Sequence, residues 1–133
     1  MAQSMSNTSK ATSRAVLNAA SLAYLGDAVF ELYVREMLLS QGLPAHKAHR
    51  RAKDIVSATA QADIYHRIYP ALTSDEQTIM RRGRNLNPMN RAKNAETVDY
   101  RHATGVEALF GYLYFKGDVS RLEEVFVLCT SDS

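Results

Sequence analysis

Two acidic residues lie within otherwise apolar stretches of this sequence. Asp27 belongs to Leu22-Ala-Tyr-Leu-Gly-Asp-Ala-Val-Phe30, and Glu107 belongs to Gly105-Val-Glu-Ala-Leu-Phe-Gly-Tyr-Leu-Tyr114. A carboxylate in such surroundings costs free energy unless it is paired or binds a metal ion. If the two stretches form neighbouring helices, both carboxylates can bind one Mg²⁺, a hard cation that takes oxygen ligands.

Small residues flank both acids. Gly26 and Ala23 lie beside the first acid, and Gly111 follows the second by about one helical turn. Such residues would let two helices approach closely enough for their carboxylates to share an ion. The alternative is that each acid pairs with an arginine, such as Arg35 or Arg101. Spacing alone leaves both interpretations open.

Basic residues are concentrated in two segments that contain no acid, residues 40–53 and residues 77–95. The net charge is only +2, so the total says little about partners. Clusters of this kind in a balanced chain indicate a surface that binds a polyanion. The alternative is a solvated helix surface followed by an ordinary loop. The clustered cations are Lys47, Arg50, Arg51 and Lys53, and then Arg81, Arg82, Arg84, Arg91 and Lys93.

The 133 residues are enough for one domain with a core of its own. We expect a flexible polar tail at residues 1–13 and a single domain at residues 14–129. The single cysteine, Cys129, cannot form an internal disulfide, which is typical of a reducing cytosol. No apolar run approaches the ~20 residues needed to cross a membrane. We therefore expect a cytoplasmic protein.

The periodicity of apolar residues predicts an all-α fold without strands. Ser57 is a candidate N-cap, Thr73 and Glu76 fit a capping box, and Gly42 and Gly117 are candidate helix ends. A loop is predicted at residues 85–90. The predicted helices are residues 13–20, 21–40, 44–56, 58–69, a short one from 73 into the first arginines, 98–115, and one after Asp118 to 128.

The two acidic segments together resemble the ribonuclease III family. Residues 22–29 resemble its signature, in which an apolar pair, Gly and Asp follow two glutamates. Residues 107–114 resemble its second acidic motif, and a basic segment separates the two, as in the family. The resemblance covers about residues 14–128. It implies a ribonuclease III-like catalytic-domain helical bundle that acts as a homodimer, with Tyr24 and Leu25 at the interface.

Four acids of the family pattern are absent. Alanines at positions 20 and 23 replace the two signature glutamates, Thr104 replaces an aspartate, and no acid stands at the start of the third helix. This reduction, with Tyr24 for the usual Phe and the run Arg81-Arg-Gly-Arg-Asn85, is similar to the Mini-ribonuclease III group. Members of that group lack a separate domain for binding double-stranded RNA.

The resemblance implies a Mg²⁺-dependent endonuclease that cuts double-stranded RNA and leaves 5′-phosphates. Asp27 and Glu107 would be the catalytic metal ligands, and Mn²⁺ could substitute for Mg²⁺. The implied substrate is a precursor of 23S-type ribosomal RNA. One alternative is an inactive ribonuclease III-like domain that binds structured RNA. Another is a helical interaction module whose basic loop binds an acidic protein. The candidate RNA-binding residues are Arg81, Arg82, Arg84, Arg91, Lys93, Lys47 and Arg50.

Overall fold

The structure, a computed structural model, describes residues 18–86 and 95–131. Within these ranges all regular structure is helical, which confirms the all-α prediction. A 3₁₀ turn at Tyr69–Ala71 connects the third and fourth helices. The helices are α1 (Ala19–Ser40), α2 (Ala45–Val56), α3 (Ala58–Ile68), α4 (Ser74–Arg84), α5 (Ala95–Lys116) and α6 (Val119–Thr130).

Some predicted features lie outside the described residues. These are the tail at residues 1–13, most of the predicted helix at 13–20, and most of the predicted loop at 85–90. Arg91 and Lys93 also lie there. In the two described ranges, no helix is long and apolar enough to cross a membrane.

The helices begin where a side chain satisfies the free backbone N–H groups of the first turn. The Asn18 side chain accepts a hydrogen bond from the Ser21 N–H at 2.9 Å, so α1 begins two residues earlier than its periodicity predicts. Ser57 accepts from the Ala60 N–H at 3.2 Å, which confirms the predicted N-cap of α3.

The predicted capping box of α4 is also confirmed. The Glu76 N–H donates to Thr73 Oγ1 at 3.2 Å, and the Thr73 N–H donates to Glu76 Oε1 at 2.9 Å. Just beyond α1 and α5, Gly42 and Gly117 have φ values of 89° and 79°. Glycine adopts this left-handed conformation without steric cost, so both predicted helix ends are confirmed.

The core is centred on three phenylalanine rings that meet edge to face. Phe30 of α1 lies 5.0 Å from Phe110 of α5 and 6.0 Å from Phe126 of α6, measured between ring centroids. Truncating a buried Phe to Ala costs about 3–5 kcal/mol. This cluster therefore fixes the relative positions of α1 and α5, the two helices that carry the acids.

The backbones of α1 and α5 touch where the acids lie. A Cβ atom added to Gly26 would fall on the carbonyl oxygen of Glu107, and one added to Gly111 would fall on the carbonyl oxygen of Leu22. Alanine at either glycine would therefore force the helices apart. The predicted close approach of the two helices is confirmed.

Candidate active site

The crossing of α1 and α5 places the carboxyl groups of Asp27 and Glu107 within hydrogen-bonding range of each other. Asp27 is exposed at the surface, whereas Glu107 is half-buried beneath it. Solvent therefore reaches the pair mainly from the side of Asp27.

Within the part of the chain that the structure describes, neither acid has the arginine partner that the alternative interpretation requires. Arg35 pairs instead with Glu31, with 3.0 Å between Nη2 and Oε1. The Nε atom of Arg101 is buried and has no hydrogen-bond partner among the described residues. Throughout residues 18–86 and 95–131, no basic side chain forms an ion pair with Asp27 or Glu107.

The proximity of two carboxyl groups perturbs the proton equilibrium of the buried one. The pKa of Glu107 is raised to about 7 from 4.5, chiefly by burial and then by the negative charge of Asp27. A hydrogen bond from Gln61 opposes this shift. A positive charge placed between the two carboxylates would remove the repulsion.

The donor set fits a hard divalent cation. Two carboxylates can supply oxygens from one side of an ion. No cluster of three or more potential metal-binding side chains is found among the described residues. An ion at this site would complete its coordination with water or substrate oxygens. Mg²⁺ commonly does so, because it gives up its hydration water reluctantly.

The residues at the positions that lack the family's acids have surroundings that do not favour metal binding. Ala23 is buried against Leu22 and Ala108, whereas Ala20 is exposed. The Thr104 hydroxyl donates to the backbone carbonyl of Tyr100 at 2.8 Å. The alanine methyl and the satisfied hydroxyl are both poor metal ligands, so the charge of the site comes from Asp27 and Glu107.

Sequence reasoning missed a third polar group at this site, Gln61 of α3. Its side chain is 2% exposed and makes a hydrogen bond with Glu107. The available signal was a polar residue in a buried helical pattern, because Ile64, Tyr65 and Ile68 follow Gln61 at three, four and seven residues.

The candidate RNA-binding residues of α2 lie on the surface. Lys47 and Arg50 are exposed, as are Arg51 and Lys53. None of the four forms an ion pair with a carboxylate of the described chain. This segment of α2 therefore presents free positive charge to solvent.

The arginines of α4 differ in their exposure and in their hydrogen bonds to the rest of the protein. Arg82 is exposed. Arg81 donates to the Tyr69 hydroxyl and, at 3.2 Å, to Thr78 Oγ1. Arg84 donates to Asn85 Oδ1 at 3.0 Å. All three occupy the last turn of α4, so a helix rather than a loop presents them.

The guanidinium group of Arg84 lies beside a shallow pocket of about 280 Å³. Its central carbon is 5.9 Å from the centroid of the Tyr65 ring, close enough for a cation–π contact. His66 also lines this pocket, and its ring centroid lies 4.6 Å from that of His102. The pocket therefore combines aromatic surface with groups that bind anions.

The residues predicted for the dimer interface differ in exposure. Tyr24 is 87% exposed, whereas Leu25 is half-buried and packs against the core. Leu32 and Leu39, farther along α1, are also exposed apolar side chains. Together with Tyr24 they form a surface that we call the α1 apolar face.

Comparison with known proteins gives the class of this helical bundle. Residues 20–118 match the Ribonuclease III domain family. This match spans both acidic segments and the crossing that brings them together. The protein is accordingly an endoribonuclease.

Individual relatives define the group more narrowly. Mini-ribonuclease 3 of Symbiobacterium thermophilum is 50% identical over 106 residues, which are 79% of this chain and 82% of the relative. Mini-ribonuclease 3 of Brevibacillus brevis is 44% identical over 78% of each chain. A crystal structure of a Fusobacterium nucleatum protein has a TM-score of 0.75 at 26% identity, covering 85% of this chain and 93% of that one. The chain belongs to the Mini-ribonuclease 3 family.

Proposed function

We propose that this endoribonuclease cuts double-stranded RNA with the help of Mg²⁺, and that its substrate is a precursor of 23S-type ribosomal RNA. The observation that carries the proposal is the approach of Asp27 to Glu107 with no basic side chain of the described residues between them. A folded protein tolerates such repulsion where a cation relieves it.

Asp27 and Glu107 are the proposed ligands of the ion. Mg²⁺, when bound, supplies an activated water and offsets negative charge on the attacked phosphate. Asp27 offers its carboxylate from the solvent side, where an RNA phosphate can reach it. Glu107 is held on the rigid crossing of α1 and α5, which fixes its oxygens relative to Asp27. The proposed products carry a 5′-phosphate and a 3′-hydroxyl.

The basic side chains of α2 and α4, which form no ion pair among the described residues, are the proposed RNA-binding surface. Contacts to phosphates give affinity with little base specificity. Duplex RNA is recognised mainly through its shape and backbone, because its deep major groove hides the base edges. We propose this role for Lys47, Arg50, Arg81, Arg82 and Arg84, and for Arg91 and Lys93 outside the described residues.

A homodimer would let each subunit cut one strand of the duplex. The α1 apolar face supports this proposal, because an exposed row of large apolar side chains on one helix is typical of an interaction surface. Such an enzyme would act in the cytoplasm, where the RNA precursor is made.

The dimer is tested by replacing Tyr24 with Asp. A charge on a buried apolar contact is costly unless it finds a partner, so the variant should sediment as a monomer at micromolar concentrations where the parent sediments as a dimer. The matched control is Val127→Asp, at an exposed apolar position of α6. An aspartate at Leu43 would not serve, because Leu43 packs against the core. A parent protein that sediments as a monomer and cuts both strands would refute the dimer.

The whole proposal is tested by incubating the protein with a long RNA duplex in the presence of Mg²⁺ or EDTA. We expect discrete double-stranded products with Mg²⁺ and none with EDTA. Binding without cleavage at any Mg²⁺ concentration would instead favour the inactive RNA-binding domain, to which the absence of four family acids lends weight. Affinity for duplex RNA that does not fall with salt would favour the protein-binding module.

A further inference from the structure

The side-chain amide of Gln61 occupies a buried position between the end of α2 and the acid of α5. Its Nε2 donates to the Val56 carbonyl oxygen at 2.9 Å, and the same amide makes a hydrogen bond with the Glu107 carboxylate. Both partners are acceptors, so both require the nitrogen, which carries two N–H groups. These two contacts fix which end of the amide is nitrogen.

The orientation leaves the amide oxygen without a partner. Oε1 of Gln61 is fully buried and accepts no hydrogen bond from any residue that the structure describes. Leaving a buried acceptor unsatisfied costs about 1–3 kcal/mol. Native proteins rarely leave such a group unsatisfied without a functional reason. The amide keeps its nitrogen on Val56 and Glu107 at the expense of its oxygen, a cost that an amide held for the site rather than for stability would carry.

We propose that Gln61 is a positioning residue of that site. One amide N–H holds the Glu107 carboxylate in place and so fixes the direction in which its oxygens face the ion. The inference rests on the proposed function, because it assumes a divalent cation at Asp27 and Glu107. Mg²⁺ requires near-ideal octahedral geometry, so a ligand carboxylate that is held in a fixed orientation favours its binding.

A purely structural role makes a different prediction. In that case Gln61 only satisfies the Val56 carbonyl at the end of α2, and its loss would lower stability without changing ion affinity. Gln77 provides the comparison, because its Nε2 donates to the Tyr69 carbonyl oxygen at 2.8 Å. The two glutamines therefore share one kind of contact, and only Gln61 also contacts Glu107.

The decisive variants are Gln61→Met and Gln77→Met, which keep the length of the side chain and remove its amide. Titration calorimetry with Mn²⁺, without RNA, measures ion affinity directly. Loss of a group that orients a metal ligand typically weakens metal binding by about 10–100-fold. We expect a weakening of about 10-fold in Gln61→Met and no change in Gln77→Met. Both variants should bind duplex RNA in EDTA as the parent does.

A second measurement needs no substitution at Gln61. In the parent protein, the side-chain amide resonance of Gln61 should shift as Mg²⁺ is added and should saturate with the same affinity as ion binding. The Gln77 amide should not move. In Asp27→Asn, Mg²⁺ should leave both amides unchanged. This readout decides the question even if Gln61→Met does not fold.

The outcomes separate the two proposals. If the parent binds no Mn²⁺, the proposed metal site fails and the role of Gln61 fails with it. If the parent binds Mn²⁺ and Asp27→Asn does not, the site stands. Unchanged affinity in Gln61→Met, or a Gln61 amide that ignores saturating Mg²⁺, then overturns the positioning role alone.

Discussion

Two glutamates of this fold, one buried and one half-buried, have opposite surroundings. Glu76 of α4 is 4% exposed and accepts two hydrogen bonds from Arg121, each at 2.8 Å. These bonds lower its pKa, and the Thr73 N–H contributes in the same direction. Glu107 of α5 faces another carboxylate, and burial together with the charge of Asp27 raises its pKa to about 7.

The difference shows which acid the fold uses for its own stability. A bidentate arginine is a strong partner for a buried carboxylate, and Arg121 gives Glu76 such a partner across the gap between α4 and α6. Asp27 instead gives Glu107 a neighbour that carries the same negative charge. Perturbed acids without a neutralising partner concentrate at functional sites, which supports our proposal that the Glu107 pair is functional, whereas the Glu76 pair joins α4 to α6.

The largest expected effect comes from Asp27→Asn. The change keeps the size of the side chain and removes the charge that would hold the ion. Metal stabilisation of the transition state is worth several kcal/mol, so the cleavage rate with Mg²⁺ should fall by about 10³-fold or more. Circular dichroism and RNA affinity in EDTA should match the parent. Asp75→Asn, at an exposed position of α4, is the control, and cleavage by Asp27→Asn at the parental rate would refute the assigned site.

Glu107→Gln should impair cleavage nearly as much with Mg²⁺. Excess Mn²⁺ should restore part of the rate, because Mn²⁺ binds a weakened oxygen site more tightly than Mg²⁺ in the usual affinity order. The measurement is the cleavage rate as a function of each ion. A parental Mg²⁺ dependence in this variant would show that Glu107 is no ligand.

The two glutamates should also respond oppositely in stability without metal. Glu76→Gln leaves the Arg121 charge without its buried partner, which costs about 3–5 kcal/mol. Glu107→Gln removes a repelled charge and should stabilise the protein at pH 8. Urea unfolding in EDTA measures both changes. Cleavage by folded Glu76→Gln should remain close to that of the parent.

The pH dependence of the free energy of unfolding checks the sign of each effect. The pKa of Glu107 is raised to about 7 from 4.5, so the parent loses stability as pH rises from 4.5 to 7, and Glu107→Gln should not. The pKa of Glu76 is lowered, so its contribution is complete above about pH 4.5 and is lost as pH falls through that lowered pKa. Parallel pH profiles for the two variants would contradict the comparison.

The smallest expected effect is on the affinity for RNA. It concerns arginines that lack an acidic partner among the described residues. Replacing Arg81, Arg82 and Arg84 together by alanine should flatten the slope of log affinity against log salt by about two to three units, at ~0.9 per phosphate contact as in B-DNA. Cleavage at saturating protein should survive, because both acids are untouched. A parental slope would assign RNA binding to Lys47, Arg50, Arg51 and Lys53. Arg67→Ala is the control, since Arg67 pairs with Asp63 at 2.9 Å.

Local features of this fold could be predicted from the sequence because they depend on neighbouring residues. The caps at Ser57 and Thr73 and the glycine ends of α1 and α5 are of this kind. The meeting of Asp27 and Glu107 was a weaker prediction. Spacing does not set the distance between residues on different helices, so the sequence pattern leaves the arginine alternative open.

The role of Gln61 could not be predicted in the same way. Its position depends on how α3 packs against α5, and a glutamine within an apolar pattern has no single structural meaning. The start of α1 was placed too late because periodicity alone does not show that Asn18 caps the helix. In both cases hydrogen bonds of individual side chains decided the outcome, whereas the apolar pattern had predicted the general architecture.

The contact between the backbones of Gly26 and Glu107 joins positions about 80 residues apart in the chain. Closing a loop of that length has an entropic cost that only later packing offsets, and such contacts slow folding. A growing chain from which α5 has not yet emerged carries Asp27 alone. Because both acids meet only at this crossing, the order of synthesis delays the assembly of the proposed metal site until nearly the whole domain is present.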